Sequence, residues 1–141
     1  MAGLKRSLHI GDERTLKTYL RYLEDAGITR CLMRQGKSLD NLDKPEKLYL
    51  DNPNLMLALA GKSTVNPGNL RETFMLSCFR NEPMQAPEQG DFQTGKFVFE
   101  IGGKNKGFKQ IANRPDSYLA LDQIETGTGN RIPLWLFGFL Y

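Results

Sequence analysis

Only two cysteines, Cys31 and Cys78, occur in the 141 residues, and they lie far apart. They form no CxxC pair, which argues against a zinc cage and against a disulfide framework. A reducing cytosol is the expected setting. The single histidine, His9, has no partners for a His-based triad and is expected to be structural or exposed. No apolar run approaches the ~18 residues a membrane span requires, and the N-terminus lacks the apolar core of a signal peptide. Membrane proteins and secreted disulfide modules are thereby set aside, and a cytoplasmic location with no membrane partner is expected.

What is present is ordinary for a folded chain: 40% hydrophobic residues, 25% charged, and a net charge of +3. The length suffices for a buried core. The positive charge is concentrated in two places. Residues 1–22 carry Lys5, Arg6, Arg14, Lys17 and Arg21 against Asp12 and Glu13. Residues 95–115 carry Lys96, Lys104, Lys106, Lys109 and Arg114 against Glu100. Such patches suit polyanion binding, and they equally suit two solvated faces.

Residues 12–26 read as an amphipathic helix, with Asp12 as N-cap, Leu16, Tyr19, Leu20 and Leu23 inward, and Gly27 closing it. Arg14, Lys17 and Arg21 then share a stripe away from the apolar face. Apolar segments at 28–34 and 47–50, separated by a polar loop, read as two strands. A helix followed by two strands is the layout of a winged-helix DNA-binding module, though helix-plus-hairpin units are common. A short helix is expected over 53–60, with Asn52 as cap, Pro53 at its first position and Gly61 ending it. Another is expected from Pro67 to about Arg80, capped by Asn66, with Leu70, Phe74 and Cys78 inward. Beyond a loop at 81–89 the period turns to alternation. A hairpin is expected about Thr94-Gly95, then a strand near 117–124, a Gly-rich turn at 127–130 and an apolar close at 132–141.

Gly61-Lys62-Ser63-Thr64 mimics the end of a phosphate-binding loop. The full motif needs glycine where Met56 stands, and it follows a strand rather than a helix. No nucleotide site is expected there.

The hairpin carries the chemistry. With the turn at Thr94-Gly95, Phe92 opposes Phe97 and Asp91 opposes Val98. Asp91 and Glu100 become diagonal neighbours on one face, with Cβ atoms roughly 7–8 Å apart. Two carboxylates at that reach can share a hard divalent cation such as Mg²⁺, or they can be two exposed hairpin residues. An Asp, a spacer, then Glu-x-Lys on a hairpin is the arrangement of metal-dependent nucleases, where the acids hold the metal and the lysine stabilises charge on the phosphate. Here Gly102 occupies the lysine position, and the first lysine is Lys104. It keeps the same face but lies about 13 Å along the strand instead of about 6.6 Å. A bulge at Gly102-Gly103 is the device that could bring it back. Glu72, on the 67–80 helix, and Gln110, at the expected start of a helix beside the sheet, are further candidates, with Glu72 expected on a solvated face.

The run Thr15–Gly27 followed by Lys44–Asn52 resembles the C-terminal half of a large family of bacterial and archaeal AAA-type ATPases. Arg71-Glu72-Thr73-Phe74, Phe99–Lys106 and Pro133–Gly138 resemble the domain that follows in those proteins. The resemblance implies an α+β chain: a partial winged helix over 1–60, then a restriction-endonuclease-like PD-(D/E)xK domain over 61–141, a mixed sheet flanked by helices. It also implies a chain that starts at or inside the winged helix, a truncated form without Walker A or ATPase domain. Carried over by residue, Asp91 and Glu100 match the metal-binding acids, Glu72 the helix acid, and Lys104 the lysine by a shift. Mg²⁺ is the implied cofactor. DNA is the implied partner, contacted through Arg14, Lys17, Arg21, Lys104, Lys106 and Lys109, with an ATPase or a second copy as protein partner. The alternative is a non-catalytic DNA-binding or interaction module with a degenerate nuclease site.

Overall fold

The computed structural model describes residues 2–60 and 64–140. Its architecture is mixed α+β, with helices and two separate sheets. The C-cap expected at Gly61, and most of the phosphate-loop mimic, lie outside the described residues.

A short helix, α1 (Ala2–Ser7), precedes the expected amphipathic one, α2 (Glu13–Asp25). The Asp12 carboxylate accepts from the amides of Arg14 and Thr15, satisfying two of the donors that a helix start leaves open. Gly27 follows with φ 67°, the left-handed conformation that ends helices. Leu16 and Leu20 are buried, whereas Tyr19 and Leu23 remain exposed, so the inward stripe is narrower than expected. Strands β1 (Thr29–Leu32) and β2 (Lys47–Leu50) form an antiparallel two-stranded sheet. Helix α3 (Pro53–Ala60) begins where Asn52 accepts from the Leu55 amide.

Helix α4 (Pro67–Cys78) is capped by Asn66, as its sequence requires, and stops two residues short of Arg80. Its C-terminal half is surrounded: Thr73, Met75, Leu76, Ser77 and Cys78 are buried, while Leu70 and Phe74 are half-buried. Arg30 of β1 donates to the carbonyls of Leu76 and Phe79, closing the end of this helix from the first sheet.

The second sheet has the order β3-β4-β5-β6, formed by Phe92–Thr94, Phe97–Gly102, Ser117–Leu121 and Arg131–Pro133. Strand β3 is antiparallel to β4, and β4, β5 and β6 run parallel. The strand expected to reach residue 124 ends at Leu121, where Asp122 and then Gln123, with φ 63°, turn the chain away. The apolar C-terminal segment splits into β6 and a 3-10 turn over Leu134–Leu140.

The hairpin register differs from expectation. Phe92 pairs with Phe99 rather than Phe97, and the turn residues are Gly95 and Lys96. Gly95 takes φ 53°, a conformation open to glycine, at the first turn position. Moving the turn by one residue slides the pairing by two, so each side chain keeps its expected face.

Both faces of this sheet are covered. Phe92, Phe99, Ile101 and Ala120 pack against Met75, Leu76, Phe79 and Phe137, and Leu32 and Tyr49 of the first sheet join the same cluster. That core therefore runs across the boundary expected at residues 60/61. On the opposite face Val98, Leu119 and Leu121 pack against Ile111, Phe108 and Ile124 from the crossovers.

Candidate functional site

Glu100 lies in β4 on the Val98 face, and is 1% exposed. The paired register ends at Phe92↔Phe99, and Asp91, just before β3, lies beside the Phe99–Ile101 stretch of β4. The Asp91 amide donates to Phe99 O at 2.8 Å, and Asp91 Oδ2 accepts from the Ile101 amide at 2.9 Å. These two bonds clamp the aspartate to the backbone on either side of Glu100. The reading of the pair as two exposed hairpin residues is thus overturned, because the crossovers cover the face that a free hairpin would leave to solvent.

Two donors from β2 reach Asp91 and a third acid, Glu72. Lys47 Nζ, at the start of β2, lies 2.9 Å from Asp91 Oδ1 and 3.3 Å from Glu72 Oε2. The Tyr49 hydroxyl, two residues on and on the same face, donates to the same Glu72 oxygen. Glu72 is therefore a half-buried, doubly partnered carboxylate rather than a solvated one, because α4 turns it toward the first sheet. A cleft of about 460 Å³ opens beside it, lined by Lys47, Tyr49, Met56, Asn69 and Glu72 among others.

Lys106 pairs with Glu100 Oε1, and its ammonium also donates to Gln110 Oε1 at 2.9 Å. Gln110 ends a 3-10 turn over Phe108–Gln110 and does not begin a helix. Glu100 Oε2 is buried and has no hydrogen-bond partner. Lys104 is exposed and takes part in none of the ion pairs among the described residues. No bulge returns it to the carboxylates.

The environment sets the protonation of these groups. Burial pushes the Glu100 carboxyl above the ordinary glutamate range, the hydrogen bond from Lys106 pulls it back, and the Asp91 charge adds to the rise. For Lys47, burial disfavours the ammonium, but the hydrogen bond and charge of Asp91, with Glu72 behind them, outweigh burial and raise its pKa. Burial, then Glu72, pushes the Tyr49 phenol far up, so it acts as a donor.

The basic residues of the first patch are differently placed. Lys17 pairs with Glu13 at 3.1 Å, and Arg21 lies 3.8 Å from Asp25 and 3.7 Å from Asp40, so both are offset within the chain. Arg14 is exposed. In the second patch Lys104 and Lys109 are exposed, and Arg114 donates to Gln93.

The structure forms two side-chain groups, and Asp91's bonds to the backbone flanking Glu100 place them side by side. One is Glu100 with Lys106 and Gln110. The other is Asp91 and Glu72 on Lys47 and Tyr49, two residues that sequence reasoning missed. Their one signal was alternation: Lys47 and Tyr49 fall on the same side of β2. Which side meets α4 is decided by packing.

Among the described residues no group of three or more Asp, Glu, His or Cys converges as a ready-made metal cage. Two carboxylates remain a sufficient donor set for Mg²⁺, which keeps several waters and commonly takes only one or two carboxylates from protein. The orphaned Glu100 Oε2 fits that role, since a buried carboxylate oxygen without a donor is costly unless a cation meets it. No helix among the described residues is long and apolar enough to cross a membrane. In comparisons with known proteins, no family model, curated protein or solved structure matches this chain.

Proposed function

We propose that the chain carries a metal-dependent phosphodiesterase site of the nuclease kind, acting on DNA, with Asp91 and Glu100 as the metal-holding pair. The observation that carries this reading is Glu100: a buried carboxylate whose two flanking residues bond Asp91, with one oxygen held by Lys106 and the other without a hydrogen-bond partner. A divalent ion held there would neutralise phosphate charge and acidify a bound water. The reaction adds one water across one ester bond: a new P–O bond forms, a P–O bond to a sugar oxygen breaks, and the leaving oxygen takes up a proton. The chain's own part is to fix the acids, Asp91 through the Phe99 and Ile101 backbone and Glu100 through Lys106. The exposed Lys104 and Lys109 are suited to backbone phosphates near the site.

The resemblance to the region following the motor of AAA-type ATPases supports the same reading, with a partial winged helix in residues 1–60 and an ATPase or a second copy as protein partner. Incubation with plasmid and linear DNA in Mg²⁺ or Mn²⁺ tests it. Cleavage should appear, vanish with a chelator, and drop at least about 100-fold in Asp91→Asn and Glu100→Gln. DNA binding without cleavage assigns the chain instead to a binding module whose carboxylates Lys47 and Lys106 have neutralised. Cleavage that survives both substitutions places the chemistry elsewhere.

A further inference from the structure

The lysine position two residues after Glu100 is Gly102, and its environment explains what replaced it. A Cβ built on Gly102 would meet Lys106 Cβ at 2.5 Å, Cγ at 2.6 Å and Cδ at 3.0 Å. These are distances at which something must shift. The aliphatic stem of Lys106 therefore runs through the space where a side chain at 102 would begin. It arrives there by a tight turn, in which the Lys106 amide donates to Gly103 O at 2.9 Å and folds the chain back over the end of β4. Lys104 sits at the outer corner of that turn, which is why it faces solvent. Gly102 is buried, its φ does not require glycine, and the need it meets is for empty space.

We propose that Lys106, entering through the space left by Gly102, is the lysine of the carboxylate site, and that Lys104 has no part in it. This rests on the hydrolytic reading above. A lysine ammonium has three N–H donors. Glu100 Oε1 and Gln110 Oε1 take two, and the third is left to meet an anionic phosphate oxygen as charge builds on it. Gln110 is the positioning residue that holds the ammonium from the far side.

The experiment pairs two measurements on the whole chain: Mn²⁺ affinity by calorimetry, and the rate of DNA cleavage in Mn²⁺. Lys106→Met should bind Mn²⁺ at least as tightly as the parent, because a competing cation is gone, and cleave at least about 100-fold more slowly. Gly102→Ala should show the same split with Lys106 still present, its stem displaced. Lys104→Met should leave Mn²⁺ affinity unchanged and slow cleavage only through weaker DNA binding, so that the rate at saturating DNA is restored. Gly102→Lys combined with Lys106→Gly, which frees the space and restores a lysine two residues after the glutamate, should recover cleavage lost in Lys106→Met. A single variant that fails to melt cooperatively is replaced by Gln110→Ala, whose exposed side chain can be removed without a cavity and which should slow cleavage with unchanged Mn²⁺ affinity. Full cleavage in Lys106→Met or Gly102→Ala, or a loss in Lys104→Met alone that persists at saturating DNA, overturns the assignment. A parent protein that neither binds Mn²⁺ nor cleaves DNA removes the hydrolytic reading, and the role given to Lys106 goes with it.

Discussion

Lys47 and Asp91 join the two sheets: the ammonium at the start of β2 lies 2.9 Å from the carboxylate that precedes β3. The same ammonium holds Glu72, so one cation balances two half-buried acids contributed by α4 and the hairpin. Replacing it with methionine keeps the stem but strands both charges. Lys47→Met should lower the unfolding free energy by about 1–3 kcal/mol. The check is urea denaturation, with the midpoint falling and the slope unchanged. An unmoved midpoint would show that water already serves these carboxylates.

Gly90 couples the fold to the site through its backbone. It has φ 98°, and a Cβ there would approach Val98 Cγ1 to 2.8 Å and Phe99 O to 3.2 Å. Gly90→Ala should cost about 1–3 kcal/mol from backbone conformation alone, with the contacts adding to it. Because Asp91 is the next residue, any cleavage activity should fall further than the stability loss explains. Parent-like activity in this variant would dissociate the turn from the acid pair.

Glu24 offers a pH test away from the site. Its Oε1 accepts from the Cys31 amide at 2.7 Å. Burial raises its pKa, that hydrogen bond and Arg30 oppose the rise, and Asp25 and Asp40 add to it. A carboxyl whose folded pKa lies above its unfolded value binds protons more readily when folded. Its contribution is therefore present below the ordinary glutamate pKa and is lost as pH rises through the folded value. Glu24→Gln keeps an acceptor and removes the charge, so it should raise the melting temperature at pH 7 and leave it unchanged near pH 4. The gain stays below about 1 kcal/mol because the group is half exposed to screening solvent. Equal shifts at both pH values would refute the linkage.

The thiols should be inert while the chain is folded. Burial, aided by the Glu24 charge, pushes Cys31 up to about 12, and burial also raises Cys78. Both cysteines are free. An aromatic disulfide reagent at pH 8 should react slowly with the native protein and promptly in urea. Fast native labelling would contradict the packing around β1 and α4.

If DNA binds, the second basic patch should dominate. Lys17 and Arg21 are already paired within the chain, whereas Lys104 and Lys109 are exposed. Lys104→Glu with Lys109→Glu should weaken binding. The slope of log affinity against log salt should flatten by about one unit for each phosphate no longer neutralised. The same reversals at Lys17 and Arg21 should do less. The opposite ranking, measured by anisotropy across a salt series, would return the first patch to the interface.

Local signals were legible wherever chemistry acts over a few residues. Asp12, Asn52 and Asn66 cap the helices their sequence positions indicate, and Gly27 terminates α2, because a cap involves only neighbouring amides. The faces of Phe92, Val98 and Phe99 were legible for the same reason, since strand parity survives a slide of two residues, whereas the position of Asp91 depends on an offset bond to Phe99 O that parity does not give. The narrower stripe of α2 was not legible: periodicity marks the residues able to face a core, and only the neighbouring layer decides which of them are covered.

The candidate site divides along that line. Sequence alone determined that Asp91 and Glu100 lie near one another across a hairpin, that glycine stands two residues after Glu100, and that basic residues cluster nearby. Tertiary structure decided the rest. Burial of Glu100 required the crossovers to cover its face, and Lys47 and Tyr49 became its neighbours' partners only because α4 packs Glu72 against β2. Choosing Lys106 over Lys104 required a turn that carries one lysine outward and threads the other through the space above Gly102. Sequence spacing measures distance along the chain, whereas the reach of an ammonium depends on how the chain folds back.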